Sequence, residues 1–93
     1  MEAEKDQIHC FITGRVQGVG FRAFVLDNAS ALGLTGWCKN VGWDQVEVLG
    51  EGDRGSLEKL IEILKIGPGM SRVENVSVNW NPATGEFDRF RVR

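Results

Sequence analysis

Two stretches of this chain repeat their apolar residues at helical spacing, and each carries only one apolar stripe. Phe21, Phe24, Val25, Ala29 and Leu32 form the first; Leu57, Leu60, Ile61 and Leu64, at i, i+3, i+4 and i+7, form the second. A helix with a single stripe must bury it against another layer, and the rest of the chain supplies strands for that layer. Residues 7–13 (QIHCFIT) alternate with a period of two, Ile8, Cys10 and Ile12 on one side and His9, Phe11 and Thr13 on the other. Residues 36–41 (GWCKNV) and 45–49 (QVEVL) flank a short Gly42, Trp43, Asp44 stretch and read as a hairpin. Val76, Val78 and Trp80 alternate in a fourth strand, residues 81–85 turn, and Phe87, Phe90 and Val92 mark a last strand of weaker pattern.

Punctuation residues bound these elements. Gly33 stops the first helix, Asp53 or Ser56 can cap the second, and Gly67, Pro68 and Gly69 end it. The order is βαββαβ, which predicts an α+β, ferredoxin-like two-layer sandwich: an antiparallel sheet with both helices on one face. The expected sheet has the first strand between the third and the last, with the second strand reached across the third. Cys10 and Cys38 then lie two strand spacings apart, roughly 9 to 10 Å, beyond the roughly 7 Å a disulfide tolerates. With no CxxC pattern or His cluster beside them, they are expected to be reduced, packed thiols, and no metal is expected.

With 93 residues, 42% hydrophobic and 26% charged, the chain has the make-up of one soluble domain spanning 1–93, residues 1–6 being expected as a flexible tail. Eleven basic against 13 acidic side chains, a net charge of −2 and a pI near 5.3 argue against nucleic acid as the partner. No apolar run approaches the roughly 20 residues of a membrane span, and MEAEKDQ lacks the order of a secretory signal, so no membrane association and a cytoplasmic location are expected. A monomer is the default expectation.

The chemistry is concentrated in GRVQGVGFR, Gly14 to Arg22, between the first strand and the first helix. Three glycines in seven positions let the backbone turn tightly and gather N–H groups at one point, and the helix that follows adds unpaired amides and a positive dipole end. Such a loop binds an anion, most naturally a phosphate. The spacing is not GxGxxG, and no Lys-Ser/Thr follows, so neither a dinucleotide nor a nucleoside triphosphate is implied. Arg22 falls in the first helical turn, where a guanidinium can donate two parallel hydrogen bonds to an anion in the loop. An exposed arginine after an ordinary strand-to-helix turn is the competing reading, and Arg15 reads first as solvated.

Together with LGLTGWCKN (32–40), VEV (46–48), EGD (51–53) and Gly67-Pro68, this loop resembles the acylphosphatases, in order and over nearly the whole chain. The resemblance implies metal-independent hydrolysis of the carboxyl-phosphate bond of small acylphosphates without any cofactor, with inorganic phosphate as product and inhibitor. It also implies a phosphate-binding loop of Arg15, Val16, Gln17, Gly18, Val19, Gly20 and Phe21, with Arg22 on the phosphoryl oxygens and Asn40 positioning the attacking water. Family members commonly carry Asp-Gly or Lys-Gly in the hairpin turn. Here the turn reads Val41, Gly42, Trp43, Asp44, Gln45, so Asp44 stands where a glycine is usual and would have to take up the left-handed conformation.

Other candidates are weaker. Asn40 taken alone is an ordinary strand-end residue, and His9, the single histidine, is placed away from the helices and given no role. Trp43 is the one tryptophan positioned to touch substrate. Arg89, Arg91 and Arg93 alternate as a solvated row, with Arg93 able to support the phosphate region. A non-enzymatic binding module is the alternative class, since this fold also serves regulatory and RNA-binding domains. Residues 45–49 contain no aromatic, unlike the RNA-recognition signature.

Overall fold

A computed structural model describes residues 5–93. The elements follow in the order β1 (Asp6–Arg15), α1 (Phe21–Ala31), β2 (Thr35–Val41), β3 (Gln45–Gly52), α2 (Arg54–Ile66), β4 (Arg72–Pro82) and β5 (Phe90–Val92). They build one five-stranded sheet in the order β4-β1-β3-β2-β5. Period-two patterning sets the register: Cys10 pairs with Val48 and Val78, and Cys38 pairs with the same Val48, so all four side chains share one face. That face carries Ile8, Cys10, Ile12, Val46, Val48 and Cys38, all fully buried, against the stripes Phe21, Val25, Ala29 and Leu57, Leu60, Ile61, Leu64 of the two helices. The opposite face, with His9, Phe11, Trp37 and Glu47, has no second layer among the described residues and is half-buried rather than closed.

The sandwich is the expected one, with two corrections. First, β1 lies between β3 and β4, and the last strand, β5, runs parallel to β2 at the far edge. The four strands of the βαββαβ unit are complete with β4, so the returning chain finds its free hydrogen-bonding edge on β2. Second, β5 is only three residues long, and Phe87 lies outside it, half-buried; Phe90 is its one core residue. The Cys10 and Cys38 placement survives both corrections, because β3 still separates them, and both thiols are free and buried. Residues 1–4 of the expected tail lie outside the described residues. Asp6 already pairs with Gly52 and Pro82, and the Lys5 carbonyl accepts a hydrogen bond from the Ala83 amide at 3.3 Å.

Glycine and proline end the helices where their backbone requirements predict. Gly33 (φ 72°) follows α1, and the Leu34 amide donates back to the Ala29 carbonyl at 2.9 Å. Asp53 is the N-cap of α2 through its backbone carbonyl, which accepts from the Leu57 amide at 3.0 Å, with no side-chain cap.

Candidate active site

The C-terminal end of β1 is irregular before the loop begins. A bulge between Thr13 and Gly14 shifts the register with β4, and Gly14 has φ 136° with no room for a Cβ, which would strike the Arg72 carbonyl. The chain then turns through Val16 to Gly20 and enters α1 with Gly20 in the left-handed conformation (φ 76°) as its N-cap. No side chain caps this helix and no acidic residue sits in its first turn, so its first amides and dipole remain free to meet an anion.

Asn40 comes to the same place from another element. On β2 it has the parity of Cys38, so it faces the helix layer, but it lies beyond the core and is exposed. Between Asn40 and the loop lies an open depression of about 340 Å³ lined by Val16, Gln17, Gly18, Gly20, Phe21, Arg22 and Asn40, with Ala23, Leu26 and Val92 completing the wall. Five of the seven loop residues named from sequence therefore line it, as do Arg22 and Asn40. Arg15 and Val19 do not. Arg15 is the last residue of β1, exposed, and lines a separate depression with Trp43 and Glu74; Val19 packs against the core.

Loop and hairpin are tied together by a residue whose side-chain function the motif does not reveal. The Gln17 side-chain amide donates to the carbonyl oxygens of Gln45 at 2.9 Å and Gly42 at 3.1 Å, with Val41 at 3.4 Å. The Gly14 amide adds a bond to the Asp44 carbonyl at 2.9 Å. Carbonyls left unpaired in a tight turn are the sequence signal that could have pointed to Gln17. In that turn Gly42 takes the positive φ (60°), and among the described residues no residue other than glycine does, so Asp44 is not the left-handed residue. Trp43 at its tip is 84% exposed and does not line the depression that holds Arg22 and Asn40.

Arg22 is half-buried, and its Nη1 donates to the Arg93 carbonyl at 2.9 Å, which among the described residues leaves most of its donors unengaged. Behind it, the Cys38 thiol donates weakly to the Arg22 carbonyl at 3.7 Å, and burial pushes that thiol up from 9.0 to about 12, with Arg22 pulling slightly the other way. His9 sits on the open face with Nε2 2.6 Å from Glu47 Oε2, and does not line the depression. Among the described residues no three His, Cys, Asp or Glu side chains gather as a metal site would need.

A glycine loop leading into an uncapped helix, an arginine in its first turn and an asparagine on the neighbouring strand thus share one depression. The acylphosphatase family model matches residues 8–92. The chain belongs to the acylphosphatase family. An acylphosphatase of Salinibacter ruber (strain DSM 13855 / M31) is 49% identical over 82 residues, covering 88% of this chain and 86% of that protein. Among solved structures, acylphosphatase from Bacillus subtilis superposes with a TM-score of 0.91 at 38% identity, covering 95% of this chain and 98% of that one. An acylphosphatase from Coxiella burnetii gives 0.86 at 41% identity, covering 97% and 94%. Acylphosphatase kinship extends over both the loop and the hairpin, because the matched residues run from β1 to β5.

Proposed function

We propose that the protein hydrolyses the carboxyl-phosphate bond of small acylphosphates, releasing a carboxylate and inorganic phosphate. The observation that carries this is the shared depression of Arg22, Asn40 and the loop from Val16 to Phe21. In this reading, loop amides and the α1 N-terminus bind the phosphoryl oxygens, and the free donors of Arg22 neutralise charge that builds on them in the transition state. The side-chain carbonyl of Asn40 accepts from a water and its amide donates elsewhere, so the water is oriented in line with the leaving carboxylate. Water oxygen bonds to phosphorus, the bond from phosphorus to the acyl oxygen breaks, and the carboxylate departs with the electron pair. Both water protons can remain on the released phosphate, so no titrating base is needed. An acylphosphate is a mixed anhydride with a good leaving group, which suits a site built on charge and positioning.

Inorganic phosphate, matching the bound end of the substrate, is then a competitive inhibitor. Action as a cytosolic monomer without metal belongs to the same reading. No helix among the described residues is long and apolar enough to cross a membrane. Phosphate release from acetyl phosphate and benzoyl phosphate, with and without a chelator, tests the proposal. Chelator-insensitive turnover with competitive phosphate inhibition supports it, and the absence of turnover on both substrates overturns it.

A further inference from the structure

The guanidinium of Arg22 is held from the residue that follows β5, the strand whose Val92 completes the wall of the depression. Among the described residues its one polar contact is the bond from Nη1 to the carbonyl oxygen of Arg93. The Arg93 amide in turn donates to the Cys38 carbonyl at 2.8 Å, which carries the pairing of β2 and β5 one residue past Cys38 and Val92. Arg93 therefore shows its carbonyl to α1 while its side chain reaches the ring of Trp37, which belongs to the open face of the sheet. The guanidinium carbon lies 4.4 Å from the centroid of that ring.

Trp37 is itself held. Lys39 Nζ lies 5.5 Å from its centroid, and the His9 ring meets it edge-on at 6.5 Å. Glu47 then joins the two flanking cation-capable groups, with Oε2 2.6 Å from His9 Nε2 and Oε1 3.8 Å from Lys39 Nζ. This cluster lies across the sheet from the depression and has no place in the chemistry proposed above. A three-residue edge strand frays easily unless both ends are tied. Phe90 ties one end of β5 into the core, and at the other end the amide bond to Cys38 and the stack on Trp37 are the ties.

We propose that Arg93 and Trp37 are positioning residues: their stack fixes the end of β5, and the carbonyl carried there aims the Arg22 guanidinium into the depression. This role rests on the acylphosphate reading for its kinetic consequence, but its effect on phosphate binding does not require turnover. Arg93→Gln removes the stacking cation and keeps the carbonyl; Trp37→Leu removes the ring; Arg93→Lys keeps a cation over the ring.

The test measures the Kd of inorganic phosphate by titration, and KM and kcat on acetyl phosphate, in the full-length protein. Arg93→Gln and Trp37→Leu are each expected to raise the phosphate Kd and KM together by about two- to fivefold, the scale of one exposed cation-to-ring contact. The expected kcat changes by less than twofold. The double variant should be no weaker than the worse single, since both act through one contact, and Arg93→Lys should recover at least half of the loss. Arg93, exposed at the end of β5, is the variant that keeps the test decisive if Trp37→Leu fails to fold. An unchanged phosphate Kd in folded Arg93→Gln overturns the proposal, as does a lowered melting temperature with unmoved Kd and KM, or full additivity of the two substitutions. Phosphate binding that depends on Arg93 in a protein that turns over no acylphosphate would support this role while overturning the proposed function.

Discussion

The side-chain amide of Gln17 donates to the main-chain carbonyl of Gln45 at 2.9 Å, and that contact joins the glycine loop to the hairpin that carries Asn40. The same amide also reaches Gly42 and Val41, so this side chain, beside the Gly14 amide bond to Asp44, spans the loop proposed to hold the anion and the hairpin whose Asn40 is proposed to hold the water. Gln17→Ala is expected to lower kcat by about 10- to 100-fold, since small misplacements of a positioning group have effects on that scale. Stability should fall by only about 1 kcal/mol, the net worth of such a bond. Kinetics and urea unfolding on one preparation check this; a normal kcat in the folded variant would show that the loop and hairpin keep their distance without Gln17.

For Arg22, the hypothesis is recognition by planar geometry as well as charge. Arg22→Lys keeps the charge but replaces a fork of donors with a point cation that cannot both reach the Arg93 carbonyl and chelate two phosphoryl oxygens. Most activity and most phosphate affinity should disappear while the far-ultraviolet dichroism is retained. Near-normal turnover and inhibition by phosphate would remove Arg22 from the site.

Asn40 should give the opposite signature. Its side chain is exposed beside the depression rather than packed, so Asn40→Ala is expected to fold normally. The expected fall in kcat is on the order of 100-fold with phosphate affinity nearly unchanged, as for a group that orients water rather than binding the anion. A phosphate Kd raised in proportion to the loss of kcat would reassign Asn40 to binding.

Glu51 is a buried carboxylate that anchors the segment after β4. Its oxygens accept from Gln7 Nε2 at 2.7 Å, the Thr84 amide and hydroxyl at 2.9 Å each, and the Gly85 amide at 3.0 Å. Burial alone would raise its pKa, but these bonds together outweigh burial and hold it below the usual 4.5. A depressed folded pKa means stability that is present above about 4.5 and is lost as pH falls through the lower folded value. Glu51→Gln, which turns an acceptor into a donor facing donors, should cost about 2 kcal/mol at pH 7 and flatten the acid limb of stability against pH. An acid limb unchanged in Glu51→Gln would assign it to other carboxylates.

The two thiols act at the other end of the pH scale. Burial raises both Cys10 and Cys38 from 9.0 to about 12. A raised folded pKa on a group that is neutral when protonated gives stability that is complete below pH 9 and declines as pH climbs toward 12. Thiol reagents should find two free thiols, slow in the native state and fast in denaturant, and alkaline unfolding should begin later in a Cys10→Ala, Cys38→Ala double variant. A native intramolecular bridge between them would contradict the strand order, which puts β3 between the two.

Periodicity alone determined the layers. Leu57, Leu60, Ile61 and Leu64 leave a helix no choice but to bury one side, and the alternation of Ile8, Cys10 and Ile12 decides which face of β1 receives it. The glycines of residues 14–20 ahead of a helix pointed to an anion loop, because the conformational freedom of glycine and the unpaired amides of a helix start are local properties readable from residue type. The neighbours of those local elements could not be read from the chain. The last strand left β1 for the edge of β2 because the free hydrogen-bonding edge there is a property of the assembled sheet. Asp44 was spared the left-handed conformation because Gly42 takes it within the folded hairpin. The bonds from Gln17 to the hairpin and from Arg22 to Arg93 join residues 28 and 71 positions apart, and contacts of that range carry no local pattern. They exist only because the fold has already brought the two segments within hydrogen-bonding distance.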